Sequence, residues 1–165
     1  MSADSHLILV GHDGSSFADD ALTWALDLAR RSGASVKVLR SWTMATAPRP
    51  DTWERGYVPP LSDFGDAVRK ALESDTAALR ARFDDVPVEL DAPHGSAANT
   101  LIDASSSANL LVVGPRGLGG FKGLVLGSVS EQCVRHSQCP VVVVRGQIDV
   151  AGAERQMHLD STFED

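Results

Sequence analysis

The chain has 165 residues, a hydrophobic fraction of 43% and a formal net charge of −7. That length is enough to close one sizeable core, and the apolar fraction is ordinary for a folded chain and excludes general disorder. The acidic balance argues against broad binding to nucleic acid or to an anionic membrane, both of which need a positive face.

The N-terminal residues MSADSHLILVG carry no basic region and no long apolar core, so no secretory signal is expected. No apolar run approaches the length of a membrane span. Cys133 and Cys139 lack metal-ligand spacing and read as free thiols, which fits a reducing cytoplasm.

Leu7, Ile8, Leu9 and Val10 form a short apolar run, read as the first strand, and end in Gly11-His12-Asp13-Gly14-Ser15-Ser16. A helix follows with its stripe at Phe17, Ala21, Trp24, Ala25, Leu28 and Ala29, stopped by Ser32-Gly33. Trp24 is placed in the core by that stripe. Ser16 with Asp19 three residues on resembles a capping pair. His12 and Asp13 are adjacent on extended chain and point to opposite faces, so they form no catalytic dyad.

Residues 36–39 make the second strand, ending near Ser41-Trp42. Residues 43–63 are unlike their surroundings, with Pro48, Pro50, Pro59, Pro60, Trp53 and Tyr57. Connections past about 12–15 residues are often functional lids. The alternatives are a surface loop stiffened by proline and a contact patch for a second subunit. Helical spacing resumes over residues 64–83, and residues 86–90 read as a third strand whose Pro87 favours a sheet edge. A modest helix over residues 95–106 carries Ala98, Leu101, Ile102 and Ser105 on one side.

The fourth strand, Leu110–Val113, opens on residues 114–130, GPRGLGGFKGLVLGSVS. From Ala104 through Ser130 there is no carboxylate, and the charges are those of Arg116 and Lys122. Glycines admit backbone N–H groups close to a ligand, and the serine at Gly127-Ser128 caps a helix whose first N–H groups face outward. Such a stretch suits phosphate. A helix over residues 128–137 then leads to a fifth strand, Val141, Val142, Val143 and Val144. Residues 1–146 are expected to form one nucleotide-binding domain, and residues 147–165 a polar tail. Alternating strands and helices imply a parallel sheet covered on both faces, with ligands outside the carboxyl ends of the strands where their order reverses.

The glycines fall as Gly114-x2-Gly117-x9-Gly127-Ser128, followed by GSVSEQCVRHSQCPVVVVR. With LILVGHDGSSFADDALTWALDLA, the Gly95 turn and NLLVVGPRG, this pattern resembles the ATP-binding branch of the universal stress protein family over most of the chain. The resemblance implies a five-stranded parallel sheet of order 3-2-1-4-5, of the adenine nucleotide alpha hydrolase-like kind. It also implies a homodimer, often through the last strand, and ATP as ligand, with or without Mg2+.

Carried over by position, Gly11 and Asp13 would line the adenosine, and Ser41 would offer backbone groups to the adenine edge. Gly114, Pro115, Arg116, Gly117 and Leu118 would lie under ribose and phosphates. Gly127, Ser128, Val129 and Ser130 would hold the phosphates. His12, Asn109 and Ala97 depart from the family's usual residues at their positions.

No Walker A loop is present, and no base to activate water stands out. These features favour a cytoplasmic ATP-binding stress-response regulator with an unidentified regulatory protein partner and at most slow hydrolysis. A slow ATPase or α-phosphate-acting enzyme of this fold, and a module that binds other proteins without nucleotide, are the alternatives.

Overall fold

The structure, a computed structural model, describes residues 6–117 and 126–146. Its elements alternate as β1 (Leu7–Gly11), α1 (Ser16–Ser32), β2 (Ser35–Leu39), α2 (Leu61–Arg82), β3 (Val88–Asp91), α3 (Ala97–Ser105), β4 (Leu110–Val113), α4 (Ser128–His136) and β5 (Val141–Val143). All strand pairs are parallel, and the sheet runs β3-β2-β1-β4-β5, as expected.

Side chains alternate across the central strands with the period of two that an extended chain imposes. Ile8, Val10, Val36, Val38, Leu90 and Val112 face α1 and α2. Leu9, Leu39, Leu111 and Val113 face the opposite way, toward Leu101 of α3 and Cys133 of α4. The chain therefore reads as near-continuous apolar runs in β1 and β4, because both of their faces are covered.

The edges differ. β3 is preceded by Pro87, and Glu89 and Asp91 within it pair with Lys37 of β2 at 3.1 and 3.3 Å. β5 lies at the other edge and is only half-buried throughout, less than a sheet covered on both faces leads one to expect. Val144 follows the strand, its N–H donating to the Val113 carbonyl at 2.9 Å.

Two expectations for α1 are corrected. Its cap is Ser15, whose side chain accepts the Ala18 N–H at 3.2 Å, and Asp19 turns instead to His12. Its buried face is Ala18, Ala21, Leu22, Ala25, Leu26 and Ala29, which leaves Trp24 37% exposed rather than in the core. The alanines let the helix lie close to the sheet, and the indole projects from the flank of that contact. α2 begins at Leu61, with Pro60 as its cap residue, slightly earlier than expected. Residues 43–60 contain turns and the isolated bridge Glu54↔Tyr57, and the bridge Trp42↔His94 stands just before them. The polar tail lies outside the described residues.

Candidate functional site

β1 and β4 are neighbours, and the strand order reverses between them. Their carboxyl ends deliver the Asp13 turn and the Gly114 loop to the same crevice.

At the end of β1, His12 turns inward and is 3% exposed, while Asp13 faces out. This is the opposed geometry that rules out a dyad. Asp13 Oδ1 accepts the Ser15 N–H at 3.0 Å and the Ser15 hydroxyl at 2.6 Å, which fixes the carboxylate against the start of α1. Its other oxygen lies against Gly117: a Cβ built there would stand 2.5 Å from Asp13 Oδ2. A side chain at this spot would have to displace the Asp13 carboxylate. Gly114 is equally confined, since a Cβ would meet the Phe17 backbone carbonyl oxygen at 3.1 Å.

The loop and α4 are tied together behind this surface. The Pro115 carbonyl accepts the Gly127 N–H at 2.6 Å and the Ser130 hydroxyl at 2.8 Å. Gly127, rather than Ser128, is the cap of α4, and it supplies no side chain to the first turn. The opening N–H groups of a helix have no intrahelical acceptor and carry the positive end of its dipole. Arg116 adds a full charge, with its guanidinium 5.2 Å from the centre of the Phe17 ring.

The opposite wall comes from the chain after β2. Trp42 pairs with the turn before α3: its N–H donates to Pro93 O at 3.1 Å, and its carbonyl accepts the Gly95 N–H at 2.9 Å. Its indole N–H reaches Ala92 O at 2.9 Å, and the ring packs against Phe64 and His94. Thr43, Thr46 and Pro48 of the proline-rich connection reach the same wall. The crevice is open on one side and has a volume of about 730 Å³, within the range typical of small-molecule sites.

Of the residues expected in the site, Gly11, Asp13, Ser41, Gly114, Arg116, Gly117, Gly127, Ser128, Val129 and Ser130 all line this crevice. Pro115 is buried and contributes through its carbonyl from behind the surface. Leu118 and Lys122 lie outside the described residues. Sequence reasoning missed Arg40, Trp42, and Val68 and Ala71 of α2. The signal for the first two was their place directly after an apolar strand, on either side of Ser41.

Arg40 and His12 are joined. Arg40 Nε donates to the His12 carbonyl at 3.1 Å, Nη2 meets His12 Nδ1 at 2.7 Å, and Nη1 pairs with Asp75 of α2 at 2.8 Å. The Gly14 N–H also points at His12 Nδ1, at 3.2 Å. Two donors on Nδ1 require it to be the acceptor, so the proton sits on Nε2 and is donated to Asp19 Oδ1 at 2.9 Å. Burial, with help from the Arg40 charge, holds the imidazole below its ordinary pKa against the pull of Asp19. His12 is thus neutral.

The universal stress protein family model matches residues 5–145. The chain belongs to this family. It is 32% identical over 142 residues to universal stress protein Rv2624c of Mycobacterium tuberculosis, covering 86% of this chain and 49% of that protein. It is 34% identical over 145 residues to a Mycolicibacterium smegmatis universal stress protein, covering 86% and 47%. The chain therefore spans about half the length of the curated relatives it matches.

Among solved structures, universal stress protein UspA of Lactobacillus plantarum shares the fold with a TM-score of 0.63 and 23% identity, over 87% of this chain and all of that one (100%). A universal stress protein in complex with cAMP gives 0.60 and 21%, covering 86% and 97%. An Arabidopsis thaliana family member with AMP bound gives 0.57 and 19%, covering 87% and 93%. No helix among the described residues is long and apolar enough to cross a membrane.

Proposed function

We propose that this universal stress protein binds ATP in the crevice between the Asp13 turn and the Gly114 loop, and acts as a nucleotide-dependent regulator. The observation that carries the reading is the cradle at Gly117. A side chain there would displace the Asp13 carboxylate, and the opening turn of α4 and Arg116 supply the positive potential that phosphates require. Asp13 offers acceptors for sugar hydroxyls. Ser41 and Trp42 line the side away from α4, where a planar base meets an apolar wall. The crevice volume is sufficient for a nucleotide. The adenine nucleotides held by family members of this fold support the choice of base.

The protein's part is to bind and orient; the bond energy of ATP belongs to the ligand, whether or not Mg2+ accompanies it. The crevice groups of general-base type, Asp13 and His12, are engaged by Ser15 and by Gly14 and Arg40, which favours binding over turnover. Pairing of two copies along the half-buried β5 edge fits the same role, with nucleotide state controlling the choice of a protein partner.

The test is to denature the purified protein and identify any released nucleotide by ultraviolet absorbance and mass spectrometry, alongside calorimetry with added ATP. Intact ATP, or calorimetric binding, supports the reading. ADP accumulating with time favours the slow ATPase. No nucleotide and no binding heat would refute both.

A further inference from the structure

The His12–Arg40 cluster lies in the wall of the crevice, and the proposed nucleotide contacts assign it no part. Its effect is on the backbone on either side of Asp13. The Arg40 guanidinium holds the carbonyl of residue 12, and the imidazole holds the amide of residue 14, which sits at φ +89° in the turn. Asp13 is clamped between these two bonds, with its carboxylate directed at Gly117. Arg40 is in turn anchored to α2 through Asp75, so the clamp spans the first turn, the end of β2 and the helix that walls the crevice.

We propose that His12 and Arg40 are positioning residues that set the Asp13 turn for nucleotide, and that protonation of His12 releases the turn and weakens binding. The proposal rests on the nucleotide reading of the crevice.

The argument follows from the donors. The groups facing His12 are Asp19 from α1, Arg40 from the end of β2 and Asp13 in its own turn, with Asp75 of α2 acting through Arg40. As a neutral acceptor, Nδ1 satisfies two N–H donors at once. A second proton on the ring turns Nδ1 into a donor facing those same donors, and places a cation against the Arg40 guanidinium at 2.7 Å. Both bonds to Nδ1 are lost. Asp19, already bonded to Nε2, gains charge complementarity but holds neither Gly14 nor Arg40. The residue that loosens is Gly14, next to Asp13.

The experiment measures ATP affinity by calorimetry at pH 7.5 and 5.5 for the wild type, His12→Phe and Arg40→Met, with folding at each pH checked by circular dichroism. The terminal phosphate titrates in this range, near pKa 6, but it does so equally for all three proteins and cancels in their ratios. The wild type should weaken more than His12→Phe between the two pH values, by at most about tenfold because the ring starts below its ordinary pKa of about 6.5. Arg40→Met should bind about tenfold more weakly than wild type already at pH 7.5, because it releases the residue 12 carbonyl.

A nucleotide-free readout accompanies this: amide exchange protection of Gly14, by NMR, should fall on acidification in the wild type, by at most about tenfold over the same range. If His12→Phe does not fold, the Gly14 titration and Arg40→Met still decide. Equal pH dependence in wild type and His12→Phe, or Gly14 protection that ignores pH, would overturn the proposal. Absence of ATP binding in the wild type at both pH values, with Gly14 titrating as expected, would instead overturn the nucleotide reading and support the clamp on the turn.

Discussion

Gly117→Ala tests the geometry of the crevice most directly, because the methyl it adds has one place to go. The new Cβ would lie 2.5 Å from Asp13 Oδ2, and an ordinary carbon–oxygen contact needs about 3.3 Å, so the carboxylate must retreat by roughly 0.8 Å. That movement stretches the bonds from Asp13 Oδ1 to the Ser15 N–H and hydroxyl, now 3.0 and 2.6 Å, and Ser15 is the residue that caps α1. Bonds to a charged acceptor contribute about 1.5–3 kcal/mol each. Asp13 is exposed and water replaces part of what is lost, so a net loss of about 1–2 kcal/mol is expected. The stiffer unfolded chain returns about 0.4–1 kcal/mol.

Stability should therefore fall by about 1 kcal/mol, and ATP affinity by about tenfold, equivalent to about 1.4 kcal/mol. The decisive comparison is with Asp13→Ala. In that background the methyl meets no carboxylate, and Gly117→Ala should be neutral or slightly stabilising. Urea unfolding of the wild type, both single variants and the double variant yields a coupling energy of about 1–2 kcal/mol. If Gly117→Ala has the same effect in both backgrounds, within about 0.3–0.5 kcal/mol, the packing of Gly117 on Asp13 is not what excludes a side chain.

Other outcomes follow from single contacts. Leu26→Ala removes a side chain that is 0% exposed between α1 and the sheet, and chemical denaturation should show a loss of about 2–5 kcal/mol. Ser130→Ala deletes the hydroxyl that ties α4 to the Pro115 carbonyl. It should lower stability by about 1–2 kcal/mol and, by loosening the loop, weaken ATP binding in calorimetry.

Burial raises the Cys133 thiol to about 11. It should resist alkylation at pH 8 in the native protein while Cys139, partly exposed, reacts first, as mass spectrometry would show. His12 is held below its unfolded pKa of about 6.5. The unfolded chain then binds the extra proton first, so the contribution of neutral His12 to stability is fully present above that value. It is lost as pH falls below it, and unfolding midpoints measured between pH 7.5 and 5.0 should decline.

Strand positions and their order were legible because apolar runs such as Leu110–Val113 have a simple cause: β1 and β4 are covered on both sides. The faces of α1 were less so. Phe17, Trp24 and Leu28 make as regular a stripe as Ala18, Leu22 and Leu26, and both share Ala21, Ala25 and Ala29. The choice between them depends on how closely the helix approaches the sheet, which no local pattern specifies. The caps at Ser15 and Gly127 each lie one residue before the expected one, since Ser16 is identical to its neighbour and Ser128 is a better capping type than the glycine that takes the position.

On the crevice, the glycine spacing and Asp13 pointed to positions that meet. Val68 and Ala71 did not stand out because they reach it from α2, distant in sequence from the glycine loop, through packing alone. The partnership of His12 with Arg40 is a meeting of that kind, across two neighbouring strand ends.

The unequal edges of the sheet limit how copies of this protein can associate. At β3, the proline before the strand and the charges of Glu89 and Asp91 oppose the addition of a further strand. β5 presents valines and no charge within the strand. Under the proposed pairing through β5, each copy has one adhesive side, and a twofold contact uses it on both partners. Growth then stops at two, and the sheet has no route from a pair to a fibre.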